Sequence, residues 1–112
     1  YYIGDEDLGD KNSEFASFFD ETKSTLISIS KIAALSKATV IPCINHYCPS
    51  KNKYVTYIDE PLAKFPTGHT RDDALIINRA FEKLINRDLS QYMWSLRLFQ
   101  TRPNGQKYPY DK

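Results

Sequence analysis

Cysteine, glycine, histidine and long apolar runs are all scarce in this 112-residue sequence, and each scarcity removes a class of answer. Two cysteines, Cys43 and Cys48, are too few to staple a scaffold, and they read as reduced thiols near a strand end. Four glycines, widely separated, form neither a phosphate-cradling loop nor a nucleophile elbow. The best apolar stretch, residues 39–44, is strand length and far short of the ~20 residues of a membrane span. The chain opens on Tyr1, with no charged region leading into an apolar one, so no signal peptide is read and the natural start is expected elsewhere.

What is present describes an ordinary folded domain. Apolar residues make up 41% and charged residues 26%, which argues against disorder and against a coiled coil. The length suits one small domain or part of one. Aromatics reach 13%, with eight tyrosines and six phenylalanines, a core that wants large surfaces to pack against. The net charge of +1 hides an asymmetry: Asp5, Glu6, Asp7, Asp10 and Glu14 crowd the start, while Arg97, Arg102, Lys107 and Lys112 mark the end. A nucleic-acid partner is not expected, because the C-terminal bases are sparse and the total charge is near neutral.

The pattern predicts an α/β architecture with a partial mixed sheet and packed helices. Tyr1, Tyr2 and Ile3 read as the end of a strand running into an acidic turn over residues 4–10. Residues 22–37 carry Leu26, Ile29 and Ala33 at helical spacing and predict an amphipathic helix on a sheet. Residues 38–47 predict a buried strand, irregular at Pro42, and residues 53–58 a second strand; the turn chemistry of residues 49–52 joins them as an antiparallel hairpin. Thr70 and Asp73 resemble a capping box ahead of a helix over residues 71–87. Ser90 reads as the cap of a last, buried helix through Phe99, with Arg97 turned to a phosphate, a carboxylate or water.

Chemistry is thinly spread. Of the two histidines, His46 lies on the strand and His69 in a loop; neither has an acid five positions on, since Lys51 and Ala74 stand there. Cys43 and His46 point to opposite faces of a strand and Cys48 completes no tetrahedral set, so no metal or cofactor is expected. Asp5 and Asp7 share a face if the segment is extended, where they suit a basic side chain or a sugar hydroxyl, or make a solvated acidic turn. Arg97 and Arg102 offer guanidinium forks for phosphate, or else pair internally with a carboxylate such as Asp5 or Asp7.

Several separated blocks then fall into one known order. Tyr2-Ile3-Gly4-Asp5-Glu6-Asp7-Leu8-Gly9, Ser13-Glu14-Phe15, Phe18-Phe19, Lys23-Ser24-Thr25-Leu26, Ala38-Thr39-Val40-Ile41-Pro42, Gln91-Tyr92-Met93-Trp94 and Thr101-Arg102-Pro103 span nearly the whole chain. Together they resemble the late acyltransferases of lipid A biosynthesis, closest to the myristoyl-transferring branch. The resemblance implies that residues 1–112 are the C-terminal portion of a glycerolipid-acyltransferase-like domain. It implies a membrane anchor and a catalytic His–acid pair ahead of Tyr1, at the cytoplasmic face of the bacterial inner membrane. The implied reaction moves a fatty acyl chain from acyl carrier protein to a Kdo-bearing lipid A precursor, in lipopolysaccharide biosynthesis. No catalytic residue is expected within the chain, which alone should be inactive. Asp5 and Asp7 match the family's acidic strand-end motif and Arg97 and Arg102 its basic C-terminal region, making these four the expected substrate-binding residues. Asp20 departs from the small residue common after Phe-Phe, and Ser95, Leu96 and Leu98 depart from a Leu-His-Arg-Arg sequence. The alternative reading is a non-catalytic module that binds anionic lipid.

Overall fold

The computed structural model describes residues 1–110 and gives two separate two-stranded antiparallel sheets with two helices. Strand β1 (Ser13–Phe18) pairs with β2 (Glu21–Leu26), Ser13 opposite Leu26 and Phe18 opposite Glu21. Helix α1 (Ser28–Ser36) follows at once. Strands β3 (Cys43–Cys48) and β4 (Lys53–Ile58) form the second hairpin, closed by a 3-10 turn at Pro49–Lys51 and by Asn52 in the left-handed region. Helix α2 (Thr70–Ile85) packs mainly across β1.

The predicted antiparallel hairpin is present, with β4 at the expected bounds, and α2 lies at nearly the expected bounds. The mixed α/β character stands, with departures in four segments. Tyr1, Tyr2 and Ile3 form no strand, and no backbone hydrogen bond to them occurs among the described residues. The helix expected over residues 22–37 begins only at Ser28, because residues 21–26 pair as β2. What makes that pairing possible is a two-residue turn in which Phe19 and Asp20 both adopt positive φ, 57 degrees being typical and 47 and 62 found, the mirror-image geometry that suits strand twist. Glu82 of α2 steadies this turn by accepting the Phe19 N–H at 2.8 Å.

The strand expected over residues 38–47 starts at Cys43, and its side chains are mostly exposed, with only His46 fully buried. The last expected helix is a single 3-10 turn at Leu89–Gln91, followed by irregular chain. Asp88 rather than Ser90 caps that turn, accepting from the Ser90 N–H, and Tyr92 then goes extended at φ −76, ψ 144. The capping box is displaced too: Asp73 accepts from Thr67 N at 2.7 Å and Thr67 Oγ1 at 2.8 Å, while the Thr70 hydroxyl donates to Glu14.

The core sits between β1, α2 and the C-terminal chain. Ala16, Ile27 and Ala74 form one cluster; Phe18, Ile85 and Leu98 form the other, walled by Phe19, Phe81 and Phe99. Phe18 and Phe19 meet edge to face at 4.8 Å, and Trp94 meets Phe19 edge to face at 5.8 Å, the favoured geometry for aromatic quadrupoles. The irregular C-terminal chain is thus held by its aromatics rather than by helical hydrogen bonds. Among the described residues no helix is long and apolar enough to cross a membrane.

Candidate functional site

The acidic segment after Gly4 lies against β2, which is buried on both faces and carries polar residues there: Lys23 and Thr25 on one face and Ser24 on the other. Thr25 donates to Asn78 on α2 at 3.0 Å, and Asn78 in turn donates to the Ser17 carbonyl, so both residues are satisfied despite burial. Ser24 Oγ donates to the Gly9 carbonyl at 2.6 Å, pinning the acidic segment to the strand. Gly9 sits at φ +101, a conformation that a side chain would strain, and it lets its own N–H return to Asp7 Oδ1 at 3.1 Å.

The two carboxylates reach the far end of the chain. Asp7 accepts from Thr101 twice, from the backbone N–H and from the hydroxyl, each at 2.6 Å. Asp5 accepts from the Tyr92 hydroxyl at 2.9 Å. Lys23, 1% exposed, lies in the field of both: its ammonium donates to the Ser24 carbonyl at 3.2 Å and stands 5.9 Å from the Phe18 ring centroid. Burial pulls the Lys23 ammonium below its usual pKa of 10.5, while the charges of Asp7 and Asp5 oppose that fall. Burial also pushes the Tyr92 phenol well above its usual 10, helped by the Asp5 charge and hydrogen bond. The result is a clasp in which the hydrogen bonds of Asp5, Asp7 and Ser24 tie residues 5–9, β2 and the C-terminal chain together, with the buried Lys23 ammonium in the field of the two carboxylates.

The sequence-predicted residues are therefore only partly brought together. Asp5 and Asp7 share the clasp, but their partners are Tyr92, Thr101 and the field of Lys23 rather than an arginine. Arg102 is held elsewhere, donating to the Thr22 carbonyl at 2.8 Å, to Glu21 at 2.8 Å and to Gln106 at 2.7 Å. Its guanidinium hydrogen bond is the first cause that keeps Glu21 below the usual carboxylate range. Arg97 is exposed and makes no side-chain hydrogen bond among the described residues. Lys23, Tyr92 and Thr101 are the clasp members that sequence reasoning did not single out. The run Lys23-Ser24-Thr25 downstream of the paired carboxylates was the available signal, although its strand was not legible.

His46 is buried against Tyr57 with ring centroids 5.4 Å apart, and its Nε2 has no partner among the described residues. His69 is exposed at the N-terminus of α2. The ion pairs among the described residues, Lys83 with Asp59 and Arg102 with Glu21, include neither histidine. Beside the clasp lies an open groove of about 550 Å³, floored by Ile77, Phe81 and Leu84 of α2 and bounded by α1 and residues 38–44. Asp5, Tyr92, Thr39, Asn45 and Gln91 give this mainly apolar surface its polar groups. Such an arrangement can accommodate hydrocarbon or apolar protein surface beside fixed polar groups; it assembles no nucleophile and base among the described residues.

Comparison with known proteins gives this geometry its context. Residues 1–101 match the model of the bacterial lipid A biosynthesis acyltransferase family. A lipid A biosynthesis acyltransferase of Haemophilus influenzae is 36% identical over 110 residues, covering 95% of this chain and 33% of the relative. The lipid A biosynthesis myristoyltransferase of Escherichia coli is 29% identical over 112 residues, 100% of this chain and 35% of the relative. The lauroyltransferase of the same organism is 30% identical over 106 residues, 94% of this chain and 35% of that protein. The chain spans about a third of the length of the curated relatives it matches. It belongs to the bacterial lipid A biosynthesis acyltransferase family.

Proposed function

We propose that this chain is the C-terminal portion of a longer acyltransferase, and that it supplies part of the acceptor-binding wall. The intact enzyme takes a fatty acyl group from acyl carrier protein and places it on a hydroxyacyl chain of a Kdo-bearing lipid A precursor. It works at the cytoplasmic face of the bacterial inner membrane, within lipopolysaccharide biosynthesis, held there by an anchor outside this chain. The observation that carries the reading is the mainly apolar groove with Asp5 and Tyr92 among its polar groups, on a chain of this family.

In the proposed reaction the acceptor hydroxyl oxygen attacks the thioester carbonyl carbon. The carbon–sulfur bond breaks, the carrier leaves as a thiol, and the hydroxyl proton reaches that sulfur by way of a general base. A His–acid pair outside this chain supplies the base. Within the chain, Asp5, Asp7, Arg97 and Arg102 serve the acceptor side. Arg97, exposed and without a side-chain hydrogen bond among the described residues, contacts an anionic group of the precursor. Asp5, Asp7 and Arg102, already engaged, hold the wall in shape.

The test replaces the 110 matched residues of the Haemophilus influenzae relative with this chain and measures acyl transfer by the chimera and by the chain alone. Transfer by the chimera and none by the chain is the expected result. Arg97→Ala in the chimera should raise the acceptor KM about tenfold with kcat little changed, the loss of one charge-assisted contact. A folded but inactive chimera, or turnover by the chain alone, overturns the reading. The exposed Arg97 also favours a second reading, a non-catalytic module for anionic lipid. That reading requires saturable binding of a lipid A precursor by the folded chain alone, abolished by Arg97→Ala.

A further inference from the structure

The segment between α1 and β3 is half of a strand pair. Residues 38–42 run into β3, and two of their carbonyls accept hydrogen bonds from the chain beyond β4: Pro42 from Asp59 N–H at 2.9 Å and Val40 from Leu62 N–H at 2.9 Å. Carbonyls two residues apart facing the same side mark extended backbone, in which the residues between them face the other way. Thr39 and Ile41 are those residues. Neither backbone group of either one has a partner among the described residues, and both residues are exposed, Ile41 by 49%. Pro42 carries no N–H, and it sits on the side already facing residues 59–62. Its missing donor therefore leaves the opposite edge intact, with the N–H and C=O of Thr39 and Ile41 all available.

This free edge borders the apolar groove. Ile32 of α1, exposed by 49%, flanks it, and α2 lines it with Ile77, Phe81 and Leu84. An edge with free hydrogen-bonding groups above an apolar floor fits a β-strand: the backbone of the strand pairs with the edge and alternate side chains fill the groove. The occupant follows from chain length, because the curated relatives extend well beyond this chain, which covers 33% of the Haemophilus influenzae protein.

We propose that residues 38–42 and the adjoining groove receive a β-strand from the remainder of the acyltransferase, extending the β3–β4 hairpin into a larger sheet. The inference rests on the reading of this chain as part of a longer enzyme, and it adds where the remainder docks. Thr39 and Ile41 then become inner ladder positions, and Ile32 and Ile41 become core.

The test compares amide hydrogen exchange at Thr39 and Ile41 in the chain alone and in the Haemophilus influenzae chimera. Exchange should be fast in the chain alone and slowed at least ~100-fold in the chimera, as expected when an open edge joins a ladder. Ile41→Asp should leave thermal unfolding of the chain alone nearly unchanged yet abolish both protection and acyl transfer in the chimera. A chimera that transfers acyl groups while Thr39 and Ile41 still exchange fast overturns the docking proposal and leaves the functional reading standing. Slow exchange in the monomeric chain alone overturns it whatever the chimera does, since the edge is then already closed. Protection that appears only as the chain alone is concentrated assigns the edge to a second copy and also overturns it.

Discussion

The two hairpins of this chain invert the usual expectation of which strands lie inside. β3 and β4 have the β-branched and aromatic residues of a buried pair, Ile44, Val55 and Tyr57 among them, yet most of their side chains reach solvent. β2 is written Glu-Thr-Lys-Ser-Thr-Leu, and its last four residues are buried. The difference is what lies over each. α2 and the C-terminal aromatics cover β1 and β2, and the acidic segment covers Lys23. β3 borders a groove that nothing in the described residues fills, and β4 has no helix packed over it among the main contacts of the described residues. Burial here is decided by the neighbours available rather than by strand propensity, which measures fit to a half-buried surface in the first place.

If that contrast is right, damage to the covered hairpin should be costly and damage to the open one nearly silent. Lys23→Ala should lose about 3 kcal/mol in urea unfolding, because it removes a fully buried side-chain stem beside the Phe18 ring and leaves a cavity. Asp7→Asn should lose about 2 kcal/mol, since one of the two oxygens that receive Thr101 becomes a donor. Tyr54→Ala on β4, at a position 75% exposed, should change stability by less than about 0.5 kcal/mol. A cost at Tyr54 equal to that at Lys23 would erase the contrast.

The clasp also gives the covered side a pH signature in the alkaline range. The Tyr92 pKa is raised in the folded chain above its usual 10, so its contribution is fully present below pH 10 and fades as pH climbs toward the raised value. The Lys23 pKa is lowered from 10.5, so the folded state binds fewer protons there than the unfolded state. Stability accordingly rises with pH from the lowered value up to 10.5. Unfolding measured from pH 8 to 11 should show a rise that turns over above about pH 10. Tyr92→Phe should remove the downturn, and Lys23→Met should remove the rise.

How much was legible in advance follows the same division. The β3–β4 hairpin and α2 could be read from local signals: Pro49, Ser50 and Asn52 at the turn, and Ala74, Ile77, Phe81 and Leu84 at helical spacing. β1 and β2 could not, because their turn uses Phe19 and Asp20 where positive φ usually calls for glycine or asparagine. Leu26, at the end of β2, happens to stand in helical register with Ile29 and Ala33, which extended the expected helix backwards into a strand. The C-terminal segment, apolar almost all round, was read as a buried helix; its aromatics instead pack singly onto Phe18 and Phe19.

At the site, Asp5 and Asp7 were visible as a pair, whereas their partners were not. Thr101 lies 94 residues from Asp7, and Tyr92 lies 87 from Asp5, separations that leave no local pattern. Arg102 shows the reverse error of proximity by type. Of the two expectations, a phosphate or an internal carboxylate such as Asp5 or Asp7, Arg102 has a carboxylate, but it is Glu21, supplied by the hairpin that the sequence did not reveal.

The clasp itself is tested most directly by a double-mutant cycle between Lys23→Met and Asp7→Asn, measured by urea unfolding of the chain. If the cation and the carboxylate act together, the double variant should lose about 1 kcal/mol less than the sum of the single losses. Additive losses would contradict the account and reduce Lys23 to a buried stem with no electrostatic part in holding the acidic segment.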